Sequence, residues 1–312
     1  MKKITILTFA CVALLFSACK KEGVFNPKQK ISKIYTSATY SIDGSTTTTD
    51  RSLSEAWTWN KNNTLAKIDN YQGNTIAGTD TYTYDNKKRV VRIDGTENYY
   101  GFTSTYHIDF KYNGKELSEA AYYDGNDLAV TLKYTHQNGK ISKIEATTTE
   151  DMMNMEDYLK ALHSLLPQQF YASLENSYKK NPSKNNAKGD YDHTTTWVAT
   201  WDKDNISKIV ITEQFGIYGQ ETITSEYKYD NYNNPYYGFT PGESGEMTGA
   251  SCYSKNNITQ TTTQYQYNDL EGSENGTEII NYTYTYKGKY PVTCSHTGSF
   301  QEETYITEYE YK

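Results

Sequence analysis

Trp57-Thr58-Trp59-Asn60-Lys61-Asn62-Asn63-Thr64-Leu65-Ala66-Lys67-Ile68 is the stretch whose reading decides the fold. Two aromatics one residue apart, an Asn, a polar turn and an aliphatic-x-Lys-Ile segment read as two short strands joined by a hairpin. The pattern returns as Tyr82-Thr83-Tyr84-Asp85 with Val91-Arg92-Ile93, and as Thr200-Trp201-Asp202 with Ile206-Ser207-Lys208-Ile209. Shorter copies are Phe110-Lys111-Tyr112-Asn113-Gly114, Leu132-Lys133-Tyr134 leading to Ile141-Ser142-Lys143-Ile144, and Tyr227-Lys228-Tyr229-Asp230. Tyr265-Gln266-Tyr267-Asn268, Tyr282-Thr283-Tyr284 and the terminal Tyr309-Glu310-Tyr311 complete the series. A recurrence of roughly 25 residues holds two strands and two turns, so the chain is a β-hairpin array.

Period-two alternation within one copy gives each strand a dry and a wet face. From Glu221 to Tyr229, Ile223, Ser225, Tyr227 and Tyr229 point one way while Thr222, Thr224, Glu226 and Lys228 point the other. A lipid-facing strand does not tolerate those charges, so a closed sheet of this kind is a water-soluble one. Asn-Gly at 113–114 and 138–139 and Asp-Gly at 124–125 mark tight hairpins. The 32 Tyr and 4 Trp supply core bulk that the few aliphatic residues do not. The predicted fold is all-β: an antiparallel meander, curved or barrel-like, spanning 31–312 as one domain. Trp59 to Trp201 and Tyr84 to Tyr229 are nearly equal offsets, so 31–148 and 191–312 read as two similar halves. Between them, Thr148-x-x-Asp151 can cap a helix whose stripe is Met152, Met155, Leu159, Leu162 and Leu166. Pro167 opens a second helix with Phe170, Tyr171, Leu174 and Tyr178. A helical hairpin over 150–180 is therefore expected to cover one end or face of the sheet.

The N-terminus carries an address. Lys2 and Lys3 precede an apolar run from Ile4 to Phe16, too short to span a bilayer and suited to a signal peptide over 1–18. Phe16-Ser17-Ala18-Cys19 resembles the bacterial lipoprotein box. That resemblance implies lipidation at Cys19, a tether over 19–30 and an envelope location at the outer membrane, with the membrane as a partner through the anchor. Net charge is −7, or −9 once Lys2 and Lys3 are removed, which gives no grip on nucleic acid. Cys11 leaves with the signal, so Cys252 and Cys294 remain in a compartment that permits disulfides. In a meander three inter-strand steps put them roughly 14 Å apart, beyond disulfide reach, so two free thiols are expected.

Tyr82-Thr83-Tyr84-Asp85 and Tyr227-Lys228-Tyr229-Asp230 resemble Rhs-type tyrosine-aspartate repeats. The lipoprotein start, the aromatic-x-aromatic-Asp units, the aliphatic-x-Lys-Ile strands and the Tyr-Glu-Tyr end together resemble putative lipoproteins of the Bacteroides group. These carry a domain of unknown function, and the resemblance implies a porin-like fold without implying chemistry.

Catalytic signatures are absent: there is no H-E-x-x-H, G-x-S-x-G, Walker or dinucleotide motif, and His107, His136, His163, His193 and His296 stand singly. Glu150, Asp151, Glu156 and Asp157 fall in a helix's first turns, where its dipole favours them. Asp124-Gly125-Asn126-Asp127 and Asp202-Lys203-Asp204-Asn205 lie where hairpin turns are needed and lack calcium-loop spacing. No catalytic residue, metal site or cofactor is assigned. The sharp candidates are Trp57 with Trp59 and Trp197 with Trp201, pairs that share a strand face and could stack a sugar or pack a core. The expected function is a non-catalytic envelope lipoprotein whose barrel-like module binds a glycan, a protein or another ligand. The alternative is a structural or adhesive surface protein with no small-molecule ligand.

Overall fold

The aromatic-x-aromatic strand and the aliphatic-x-Lys-Ile strand pair as predicted, and eight such hairpins laid side by side close on themselves. The computed structural model describes residues 22–42, 45–99, 102–148, 193–215, 219–240, 250–269, 272–297 and 304–312. Its strands are β1 (Ile31–Ile42), β2 (Ser45–Thr48), β3 (Ser52–Trp59), β4 (Leu65–Gln72), β5 (Thr75–Tyr84) and β6 (Val90–Tyr99). Next come β7 (Phe102–Asn113), β8 (Glu116–Asp124), β9 (Asp127–Gln137), β10 (Lys140–Thr148), β11 (His193–Asp202) and β12 (Asn205–Phe215). The series ends with β13 (Gly219–Asn233), a helical turn α1 (Ala250–Tyr253), β14 (Asn256–Asp269), β15 (Gly272–Lys287), β16 (Tyr290–Thr297) and β17 (Thr304–Tyr311). Neighbours from β3 to β17 pair in sequence order, all antiparallel, and β1 joins β17 to β3. The result is a closed 16-strand barrel, with β2 as one extra strand on β1. Closure removes the exposed edges that an open meander would leave. The helical hairpin predicted at 150–180 lies outside the described residues.

Closure rests on a split unit. Ile31-Ser32-Lys33-Ile34 at the start and Tyr309-Glu310-Tyr311 at the end are the two strands of one hairpin pattern without its turn. They pair as Ile31 with Tyr311, Lys33 with Glu310 and Ile34 with Tyr309. Trp201 with Ile206, Thr200 with Lys208 and Ala199 with Ile209 show the same register inside an intact unit.

The aliphatic-x-Lys-Ile motif is a β-bulge. A strict period of two would put its two aliphatic residues on opposite faces. One residue is skipped between them in every unit: Ala66, Val91, Ser118, Ser142, Ser207, Thr259, Val292 and, across the closure, Ser32. The skipped residue swings both aliphatics inward, which is why Leu65 and Ile68, or Ile206 and Ile209, are all buried. Where it is serine its hydroxyl donates across the pair, as from Ser118 to the Lys111 carbonyl (3.0 Å) and from Ser142 to that of Thr135 (3.1 Å).

In several units the second aromatic ties the unit to the one before. Tyr84 donates its hydroxyl to the Leu65 carbonyl (2.8 Å), Tyr112 to that of Val90 (2.7 Å) and Tyr229 to that of Ile206 (2.6 Å). The indoles of Trp59 and Trp201 do the same to Ile31 (2.7 Å) and Ile141 (2.8 Å). Tyr and Trp suit this position because they fill the core and still donate a hydrogen bond, which Phe cannot.

Sixteen strands about 4.8 Å apart and tilted by about 40° enclose a lumen about 30 Å across, too wide for wall side chains alone to fill. At the end where the bulges lie, the chain plugs it with two of its own segments. One is residues 22–30, expected as a tether and instead docked. Glu22 accepts from the Leu117 amide (2.6 Å) and meets His136 (2.9 Å), and Phe25 is buried between Trp59 and Phe239. The other is the β13–β14 connection, which brings Tyr236, Phe239 and Cys252 into the core. Asn234 folds that loop by accepting from the Tyr236 amide and donating to the Ser254 carbonyl. Ser254, itself fully buried, accepts from the Ile206 amide (3.1 Å).

Cys252 therefore sits in α1 inside the plug, not on the strand that the meander argument gave it. Cys252 and Cys294 are both buried and unbridged. Burial pushes both thiols up to about 12.

Candidate functional site

The tryptophans face inward, and their rings are committed to packing. Trp57 and Trp59 are 6% and 8% exposed, and Trp197 is 2% exposed. Trp57 lies 5.0 Å from the Phe239 ring and donates its indole N–H to Glu55 (2.6 Å). Trp197 packs near Tyr253 of the plug, at 6.4 Å. Trp201, half-buried, carries the Lys140 ammonium over its ring at 4.9 Å. Both pairs share a strand face as the sequence indicates, but the face is filled by the plug. Cys19 lies outside the described residues, as does the carboxylate cluster at 150–157. Asp124–Asp127 and Asp202–Asn205 are the hairpin turns β8–β9 and β11–β12. Among the described residues no group of three or more His, Cys, Asp or Glu is placed to hold a metal ion.

The outer wall is wet. Lys67 pairs with Asp69 (2.7 Å), Arg92 with Asp109 (3.2 Å), Lys111 with Glu119 (2.7 Å) and Lys208 with Glu226 (3.5 Å). Each such cation would cost about 2–4 kcal/mol at the middle of a lipid-facing wall. The chemistry left for a ligand is on the inner wall.

That inner wall is unlike in its two halves. Across β5–β7 it is close-packed. Tyr106 lies flat over Gly95, its cross-strand partner, and donates its hydroxyl to the fully buried carboxyl of Asp80. Across β12–β17, away from the plug, it is polar. Glu213 and Glu221 are directly opposed across β12–β13, and both are buried. Loss of solvent on burial pushes the Glu221 carboxyl up to about 7. Two layers toward the plug, past Ile211 and Ile223, the Ser225 and Thr263 hydroxyls share a hydrogen bond (3.0 Å), and Thr263 faces Glu278, whose carboxyl burial also raises.

Beside them a run of rings crosses three strands. Tyr282 on β15, His296 on β16 and Tyr305 on β17 are cross-strand partners, each ring 5.3 Å from the next. Burial holds the His296 imidazole below its ordinary value and so favours its neutral form. Tyr305 remains 39% exposed. Flat rings, hydroxyls and acceptor carboxylates on one concave surface suit a hydroxyl-rich ligand. None of these residues belongs to a motif. The signal was in the alternation itself: stepping two residues back from Ile223 puts Glu221 on the dry face, where an acid is out of place.

Comparison with known proteins gives a fold likeness alone. No family model matches the chain, and no curated protein matches it. Its structural neighbours include a porin-like protein from Bacteroides uniformis ATCC 8492, with 12% identity over 93% of this chain and 100% of that one (TM-score 0.46). Another is a porin-like protein from Bacteroides vulgatus ATCC 8482, with 8% identity over 91% and 99% of the two chains (TM-score 0.40). A TcdB2-TccC3-TEV structure matches more weakly, at 9% identity over 85% of this chain and 13% of that one (TM-score 0.29). The first two of these neighbours are porin-like proteins from Bacteroides.

Proposed function

We propose that this chain is a lipid-anchored, non-catalytic protein of the bacterial cell envelope whose barrel takes up a hydroxyl-rich ligand of the glycan class. Anchoring rests on Cys19 and its preceding small residues. Ligand uptake rests on one observation above the others: the Tyr282–His296–Tyr305 run beside Glu278 on the inner wall, with Tyr305 still open to solvent. One sugar of a glycan can stack on Tyr305 while the hydroxyls of another donate to Glu278, four residues along β15 from the Tyr305 row. The tryptophans serve the plug rather than the ligand.

A glycan array on the acyl-free protein, followed by titration of any hit, tests this. Tyr305→Ala and Glu278→Gln should each weaken binding about tenfold, the loss of one good contact. The burial of Trp57, Trp59 and Trp197 favours the second reading, a structural or adhesive protein. A wild-type barrel that retains no glycan, or variants that bind as it does, would support that reading instead.

A further inference from the structure

In an antiparallel barrel successive hairpin turns alternate between the two ends, so all the aromatic-unit turns meet at the plugged end. Neighbouring turns touch there: Lys88 donates to the Asn62 carbonyl (3.2 Å), and Arg89 to that of Gly114 (2.8 Å). Between them these turns and the two chain ends expose Lys28, Lys61, Lys87, Lys115, Lys203 and Lys287. Of the carboxylates at the same end, Asp85 is matched to Arg89 (2.7 Å) and Asp204 to Lys255 (3.1 Å), and Asp202 and Glu116 stand against the six lysines. The opposite end reverses the sign. Its described turns carry Asp50, Asp124 and Asp127 and no lysine, and its one arginine, Arg51, is turned back to Glu308 (2.9 Å). Among the described residues of a chain of net charge −7, the plugged end is therefore the positive one.

The same end holds the start of the described chain. Glu22 is fixed there by Leu117 and His136, and the Gly23 carbonyl accepts from the Val90 amide (3.0 Å). Cys19 lies three positions before Glu22, a reach of about 10 Å at full extension. An acyl chain on Cys19 would then enter the bilayer within about one Debye length of the lysine rim.

We infer that the plugged, lysine-rimmed end is a docking face for an anionic phospholipid surface. It seats the barrel directly on the membrane with the acidic end and the polar inner wall pointing away. This rests on the lipid-anchor reading for its orientation, but the electrostatic contact can be measured without the anchor.

The test uses the chain from Lys20 to Lys312, which contains the whole described barrel and no acyl group. Sedimentation with vesicles of phosphatidylglycerol and phosphatidylethanolamine should show binding that falls steeply with salt, and none with phosphatidylcholine vesicles. Replacing Lys61, Lys87 and Lys287 together by Gln should weaken the binding about a hundredfold, near fivefold for each lysine at the surface. Asp124→Asn with Asp127→Asn at the far end should leave it unchanged. Salt-insensitive binding, equal binding to neutral vesicles, or equal sensitivity at the two ends overturns the inference, as does preferential capture by a soluble polyanion over the vesicles. Mass analysis of the mature N-terminus from cells decides acylation separately, so failure of the anchor and failure of the docking face remain distinguishable.

Discussion

Replacing Gly95 by alanine puts a methyl group where the Tyr106 ring now lies, because an added Cβ would overlap the atoms at the ring's phenolic end. Gly95 sits mid-strand, paired with Tyr106, so the backbone cannot step aside without breaking the ladder on both sides. The ring must leave, and with it goes the hydrogen bond from its hydroxyl to Asp80, a fully buried carboxyl. Overpacking costs about 1–3 kcal/mol. Losing a buried hydrogen bond to a carboxyl costs about 1–3 kcal/mol more. Alanine returns about 0.4–1 kcal/mol by restricting the unfolded chain. The expected net loss is about 1–5 kcal/mol, read by urea unfolding followed through the fluorescence of the four tryptophans. The decisive control is a double-mutant cycle. With Tyr106→Ala already present, the alanine at position 95 should cost nothing or stabilise slightly, because the atoms it would meet are gone. A cost below about 1 kcal/mol in the wild-type background, or the same cost in both backgrounds, would refute the Tyr-over-Gly account. Gly276 under Tyr265 repeats the arrangement in the other half and should respond alike.

Four other measurements bear on separate parts of the structure. Glu221 has a folded-state pKa raised to about 7, so its contribution to stability is complete below about 4.5 and is lost as pH rises toward 7. Glu221→Gln should therefore stabilise the fold at pH 8 by up to about 3 kcal/mol and do little at pH 4; equal effects at both pH values would remove the buried carboxylate argument. Trp201→Phe keeps the ring but loses the donor to Ile141, and should cost about 1 kcal/mol in chemical denaturation; no loss would mean that the inter-unit tie is not stabilising. Cys252 and Cys294 should both titrate with a thiol reagent in denaturant and neither in the native protein at pH 8, since both are buried and raised to about 12; rapid native reaction would contradict the plug. Cys19→Ser should abolish acyl incorporation and salt-resistant membrane association, and unchanged labelling would place the anchor elsewhere.

The repeating hairpin was legible in the sequence because everything that defines it is local. Alternation fixes two faces within one strand, and Asn138-Gly139 fixes a turn within two residues, both with positive φ as a tight hairpin requires. Even closure left a trace. Ile31-Ser32-Lys33-Ile34 lacks the aromatic strand that precedes it elsewhere, and Tyr309-Glu310-Tyr311 lacks the aliphatic strand that follows, so each end of the chain holds half a unit. What the sequence could not decide is what fills the lumen. A barrel of this width leaves room that its wall side chains do not fill, and a packing partner is chosen by three-dimensional fit, which has no period to read. Lys20–Lys30 has the composition of a tether, yet Phe25 is buried against Trp59 and Phe239, residues 34 and 214 positions away. The same fit turned paired tryptophans into core and put Cys252 in a helical turn inside the barrel. It also left the open chemistry to the inner wall of β15–β17, where adjacent strands bring Tyr282, His296 and Tyr305 into register.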